Sequence, residues 1–484
     1  MTSNRIKLYT GVSLLMMIGF WGCKSQEITF KEPTLDLPEQ YDQQPEDTST
    51  FATVDWRNYF EDEHLNALID SALLHNQELN IVLQEIEISK NEVLEKTGEY
   101  QPFVNLGLGA GAEKPGRFTL DGAVEHNLEI KEGKEFPEPL GDFVLGATAS
   151  WEVDIWRKLR NAKDAAQLRY IAQTEGKSFL VTQLISEIAE SYYELMALDN
   201  LLKIINQNLE IQKDALEKAR QLKEYAKANQ LVVNRFEAQY LNTKNQQYAI
   251  RQKLVETENR LYFLTGAYPS RIPRNSDKMM EITLDSLQAG IPAQLLENRP
   301  DIRQAELEMA AAKLDVKSAK ANFYPRLDLR AGIGYQAFNP SYLFNPESLI
   351  FNAAGDLMAP LINRKAIQAQ YNMATAQQIQ SVISYEQTLL QAYTDVLNQF
   401  AKLDNYTQSL ETKSQEVEVL NQSVDVANSL FQFAKADYVE VLLTQEEVLD
   451  AQMELIETKL KQLQAKVQIY RALGGGWDKE AVVE

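Results

Sequence analysis

The feature that most limits what this chain can become is a long-range repeat. Val181, Ile188, Leu195, Leu202, Leu209 and Leu216 recur seven apart, and adding 208 to each number lands on Leu389, Val396, Leu403, Leu410, Val417 and Val424. Val382 and Phe431 extend the second series. Sevenfold apolar spacing marks helices that pack along a seam, and repetition of a whole segment marks an architecture built from two like units. The string YAKANQLVV from Tyr225 matches FAKADYVEV from Phe433 at the same offset, where each heptad loses its rhythm, so each reads as the turn of a helical hairpin. No Pro lies between Pro139 and Pro269 or after Pro360, and Gly176 is the only Gly in 157–265; the strongest helix breaker is missing from both long segments. The first helix, 157–222, would run about 99 Å, its return 231–264 about 51 Å, and the helical pattern of 61–99 about 58 Å. Two short helices stacked end to end would match one long helix.

The remainder has the other period. In 103–113, Val104, Leu106, Leu108 and Ala110 alternate with Asn105, Gly107, Gly109 and Gly111, and 143–153, 327–336 and 348–359 alternate likewise, as strands do. Each is near the nine to eleven residues of a tilted membrane strand, although a two-sided sheet in a soluble domain carries the same alternation. Four strands cannot close a membrane barrel, because an open edge in lipid leaves backbone groups unsatisfied and about eight strands is the usual minimum. Three copies would supply twelve strands and gather twelve helical columns into a tube. The charged stretch 114–142 suits an exposed loop.

Composition removes several classes of function. The chain has 484 residues, 48 Lys and Arg against 69 Asp and Glu, and a formal charge of −21. That balance argues against nucleic acid, whose binding needs clustered basic residues. One Cys excludes a disulfide framework, and His64, His75 and His126 are too scattered for a zinc site, so neither a metal nor another cofactor is expected. No nucleophile, base and stabiliser stand at a recognisable spacing, which points away from an enzyme.

Arg5 and Lys7 precede an apolar run from Leu8 to Trp21 that fits the core of an export signal. Cys23 follows Gly22 directly. The arrangement resembles the lipobox of bacterial lipoproteins, which implies lipidation at Cys23 and, with Lys24 where a retention signal would need Asp, an outer-membrane destination. Phe20 and Trp21 are bulkier than usual there, and a plain signal peptide with an incidental Cys is the alternative reading.

Two further segments carry a family resemblance. The run from Glu297 to Tyr335, ENRPDIRQAELEMAAAKLDVKSAKANFYPRLDLRAGIGY, resembles the second-repeat signature of the TolC-type outer-membrane efflux protein family, and IYRALGGGW from Ile469 to Trp477 resembles the end of its lipidated multidrug-efflux branch. The resemblance implies a membrane α+β fold: a trimeric twelve-stranded outer-membrane β-barrel, four strands per chain, continuing into a long periplasmic α-helical barrel. It implies a passive exit duct, not an enzyme, working as a homotrimer with a periplasmic adaptor protein and an inner-membrane RND-type pump, set in outer-membrane lipid. The domain reading is then a signal peptide at 1–22, an equatorial segment at 23–60, a first repeat at 61–266 with the hairpin 157–265, a linker at 267–299, a second repeat at 300–476 with the hairpin 363–473, and a tail at 477–484.

In the family, the hairpin turn of the second repeat begins a helix that constricts the periplasmic entrance. Matching YVEVLLTQ puts Val439 at an apolar ring, Leu443 where an Asp is common, and Glu440 as the nearest acid that could replace it. Asp437 followed by Glu440 also fits a capping box, and the two roles are compatible. Tyr225, Asn229 and Asp437 belong to the tips that would face the adaptor, and Tyr225 and Asn229 read first of all as helix-end residues. Pro300 suits a first helical turn and Asp301 its dipole, Pro102 and Pro325 separate helix from strand, Gly474 to Gly476 end the last helix, and Trp477 reads as a packing anchor. A soluble periplasmic coiled-coil scaffold would explain the heptads but leaves the strands and Cys23 unused. An adaptor lipoprotein would explain Cys23 and one hairpin.

Overall fold

A computed structural model describes residues 28–41, 50–131, 133–283, 289–360, 362, 364–433 and 435–477. Cys23, the signal segment 1–22 and residues 478–484 of the tail lie outside the described residues. In chain order the elements are α1 (Trp56–Phe60), α2 (Glu63–His75), α3 (Gln77–Tyr100), β1 (Phe103–Glu113), α4 (Leu120–Asn127), β2 (Glu129–Lys131), β3 (Lys134–Glu135), β4 (Leu140–Val153), α5 (Lys158–Glu224), α6 (Gln230–Leu264), α7 (Leu295–Asn298), α8 (Pro300–Ala321), β5 (Arg326–Ala337), β6 (Leu349–Met358), α9 (Lys365–Gln432) and α10 (Tyr438–Ala472). Among the described residues no helix is long and apolar enough to cross a membrane.

The chain divides into two compact units, one of residues up to 33 with 100–162 and 312–382, the other of 34–99, 163–311 and the residues from 383 on. Each repeat contributes to both. The strand unit holds one antiparallel sheet in the order β1-β4-β5-β6, with β2 and β3 as a separate hairpin. β4 begins at Leu140 rather than at residue 143, because Leu140 still has Glu113 of β1 to pair with.

The helical unit is built on the heptads. On α5, Ile188, Leu195, Leu209 and Leu216 are buried, and the core beside them gathers Tyr59, Tyr192, Tyr193 and Tyr470. Tyr59 stacks on Tyr470 at 4.3 Å, and each hydroxyl finds a backbone carbonyl, Tyr59 at Lys466 and Tyr470 at Val54. Buried tyrosines need such partners.

The helical pattern of 61–99 is broken where it reads as continuous. Asn76 is extended between α2 and α3, its amide donates to the last carbonyl of α6 at Leu264, and its side-chain oxygen accepts from Leu79 N. One residue therefore closes α6 and starts α3, and the two short helices meet end to end. The second repeat makes the same junction differently. Arg299 donates to the last carbonyl of α10 at Ala472 and forks onto Asp301 in the first turn of α8, while Trp477 Nε1 reaches the Asn298 carbonyl at 2.9 Å. Gly266 and Gly474 turn the chain at these points with positive φ, and a Cβ on either would strike the backbone, His75 O or Asn298 O, within 2.4 Å.

Candidate functional site

The sheet has two unlike faces. Register aligns Leu106, Ala147, Ile333 and Phe351 in one row and Leu108, Leu145, Tyr335 and Leu349 in another, both on the apolar face. The opposite face aligns Asn105, Thr148, Gly332 and Asn352, then Gly107, Gly146, Gly334 and Ile350. Leu106, Leu108 and Phe351 are about four-fifths exposed. Among the described residues the outer edges of β1 and β6 have no strand partner. An apolar face on a sheet with two open edges is a liability in water.

At the helix-side ends of the strands, Trp151 Nε1 donates to Tyr100 O and Trp156 Nε1 to Pro325 O, and Trp156 stacks on Tyr324 at 4.7 Å. Pro102 and Pro325 stand where α3 and α8 give way to strands. Aromatic rings with one polar edge collect where an apolar surface meets water.

The hairpin tips of the two repeats share one construction. Lys227 N donates to Leu222 O at 2.8 Å and, 208 residues on, Lys435 N donates to Leu430 O at 2.8 Å. Asn229 N-caps α6 by accepting from Val232 N. Asp437 holds the matching position at α10, but its side chain makes no cap hydrogen bond. The expected capping box is therefore not formed, and Glu440 stands exposed. Tyr438 and Leu442 pack on the apolar cluster of the first tip, Leu216, Ala219, Val232, Val233 and Phe236. The two tips are thereby joined.

That packing decides which side of α10 is available. Val441, Val448 and Leu449 face inward and Val439 is half-buried, whereas Leu443 is 52% exposed and shares its open stripe with Glu440, Glu447, Asp450 and Glu457. Of the expected gate residues, Glu440 and Leu443 stand on the free face and Val439 beside it. Tyr225, Asn229 and Asp437 are all exposed at the tips, Tyr225 at 76%. Sequence reasoning missed Phe433, the counterpart of Tyr225 by the 208-residue offset and 75% exposed. It also missed Glu447 and Asp450, which the 3.6-residue period places on the same face as Glu440.

Among the described residues, apolar positions stand exposed on α6, at Leu241, Tyr248 and Val255, spaced by seven, and on α9, at Val419 and Val426. Among the described residues no three or more His, Cys, Asp or Glu side chains gather as a metal site. Buried Lys459 donates to Ile282 O and Gln462 Oε1, and burial together with Lys466 pushes its pKa down. That lysine is a packing element of the helical core.

A family described as outer membrane efflux protein matches residues 68–267 and 291–475. The cation efflux system protein CusC of Escherichia coli O6:H1 is 25% identical over 380 residues, 77% of this chain and 78% of its own. A probable outer membrane lipoprotein, SilC of Salmonella typhimurium, is 24% identical over 387 residues, 79% of this chain and 80% of its own. Among solved structures, the open state of the MtrE outer membrane channel of Neisseria gonorrhoeae superposes with a TM-score of 0.80 at 19% identity, covering 93% of this chain and 98% of that one.

Proposed function

Because the chain belongs to the outer membrane efflux protein family, and is an exit duct in the outer membrane, we propose that it works as a homotrimer in which three four-stranded sheets close one twelve-stranded barrel. The observation that carries this is the sheet itself: four strands with an apolar face, a glycine and polar face, and two edges without a strand partner among the described residues. Lipid cannot satisfy those edges, so other copies must. The uncovered stripes on α6 and α9 support the same assembly, since heptad positions left bare in one chain are seams for the next. Cargo passes along the glycine and polar face without chemical change, and the protein is no enzyme.

The tips face a periplasmic adaptor that couples the duct to an inner-membrane RND-type pump. Tyr225, Asn229, Phe433 and Asp437 form that surface, and threefold assembly would set Tyr225 and Phe433 alternately in a ring of six aromatic side chains. Glu440 and Leu443, with Val439 behind them, form the periplasmic aperture. Lipidation at Cys23 adds an anchor beside the barrel.

Ion conductance across a planar bilayer tests the channel and its gate together. Wild-type protein should conduct weakly and intermittently, and a Val439→Ala, Leu443→Ala double variant should conduct more and for longer. A double variant indistinguishable from wild type overturns the aperture assignment, and absence of conductance from both overturns the channel.

A further inference from the structure

The loop between β1 and β4 is built too firmly, and too apolar on its outside, to be a passive surface loop. Thr119 N-caps α4 by accepting from Gly122 N and donates to Gly116 O at 2.7 Å. Gly122 is buried so tightly that a Cβ there would meet Gly116 O at 2.3 Å. The entry to the helix is therefore fixed, and the helix exposes Leu120 and Val124, four residues apart, at 81% and 45%, with Phe118 fully exposed just before them and Leu128, the extended residue that caps its end, 54% exposed. Residues spaced by four share one helix face.

Acyl chains do not fit as the occupant of that face. Between the end of β1 and α4 stand Glu113, Lys114 and Arg117, and Lys114 and Arg117 both pair with Glu138. These charges stand between the helix and the apolar rows of the sheet along the chain, which argues for placing α4 outside the hydrocarbon layer, since buried charges are costly there. Phe136, farther along the same loop, meets Phe338 of the chain's own β5 to β6 loop; on the β1 side, on the trimer reading on which this inference rests, the neighbour is the next copy. β1 is a free edge and so is β6, the strand that must pair with it from the neighbouring chain. β6 is entered at the same rim through the loop 338–348, fixed by Asn339 and Asn345 capping short turns, which exposes Phe344 at 72% although its ring touches Tyr335 at 6.1 Å.

We propose that α4 is a clasp between subunits: its apolar face crosses the β1 to β6 seam at the outer rim and packs on the Phe344 loop of the adjacent copy. The clasp covers the seam where the strands end and ladder hydrogen bonds run out.

The test is cysteine crosslinking of full-length protein in outer membranes with a bismaleimide, using Leu120→Cys combined with Phe344→Cys, each single variant as control, and native mass in detergent as an independent measure of the trimer. The double variant should give covalent dimers and trimers, and neither single variant should. A Leu120→Glu, Val124→Glu variant should keep the trimer mass yet dissociate in detergent at a lower temperature than wild type. Trimers that form without the crosslink and dissociate at the same temperature overturn the clasp while sparing the trimer. Crosslinking by Leu120→Cys alone would show three α4 helices meeting each other, which also overturns it. A monomeric mass removes the trimer reading and the clasp with it.

Discussion

Asn229 and Asp437 stand at equivalent places in the two repeats, and only one of them caps its helix. The Asn229 side chain accepts from Val232 N, whereas Asp437 contributes no side-chain bond. Asn229→Ala should therefore cost about 1 kcal/mol at the start of α6, seen as roughly fivefold faster hydrogen exchange at the Val232 amide, and Asp437→Ala should leave α10 unchanged. Equal effects would restore the capping box read from the sequence. Glu175 supplies a pH dependence whose sign follows from its burial. Its side chain is buried against Arg303 at 2.7 Å, and burial raises its pKa by more than Arg303 lowers it. A carboxyl raised in the folded state stabilises at low pH, and that contribution is lost as pH rises through its folded value. Glu175→Gln removes the dependence, so thermal unfolding should show the variant gaining on wild type between about pH 4 and pH 7. A constant difference over that range refutes the assignment.

Elements depend on where backbones touch. Gly334 lies against the neighbouring strand so closely that a Cβ would meet Gly146 Cα and Leu145 O, both at 2.6 Å, whereas Gly107, in the same row, has nothing within 4 Å. The row thus includes glycines of two kinds. Gly334→Ala should destabilise the sheet by about 1–3 kcal/mol, because neither contact is a side chain that can turn away. Gly107→Ala should be close to neutral, and gel mobility of heated and unheated samples in detergent would separate the two. The alternation of residues 103–113 made the strand legible, but glycine looks alike at both positions in a sequence. Only the packing of the neighbouring strand tells a glycine that lets strands approach from one that merely leaves space. The break at Asn76 was hidden for a related reason: nothing in its neighbours forbids a helix, and the Leu264 carbonyl that holds it is 188 residues away.

For the whole molecule, charge is the property with a direct readout. Glu440, Glu447, Asp450 and Glu457 all stand on the open stripe of α10. Three copies set round an axis would present rings of carboxylates, which raise the local concentration of cations. Reversal potentials under a salt gradient should therefore show cation preference, reduced in a Glu440→Gln, Glu447→Gln, Asp450→Asn variant. An unchanged reversal potential would place the stripe away from the ion path. The coiled-coil scaffold and the adaptor lipoprotein both fail at this scale, because neither has use for an open-edged sheet with an apolar face.

The 208-residue offset, the heptads and the period-two segments carry the architecture in the sequence alone, because helix and strand periods are local and proline excludes itself from long helices. Tyr225, Asn229, Asp437 and Glu440 could be named as tip residues for the same reason. Which of them caps, which faces outward and which is buried was decided by tertiary packing. Tyr438 and Leu442 settle on the first hairpin tip, and that single contact turns Val441 inward and leaves Glu440 and Leu443 on the free side. A period says which residues share a face; only the neighbour that covers one face determines which one remains open.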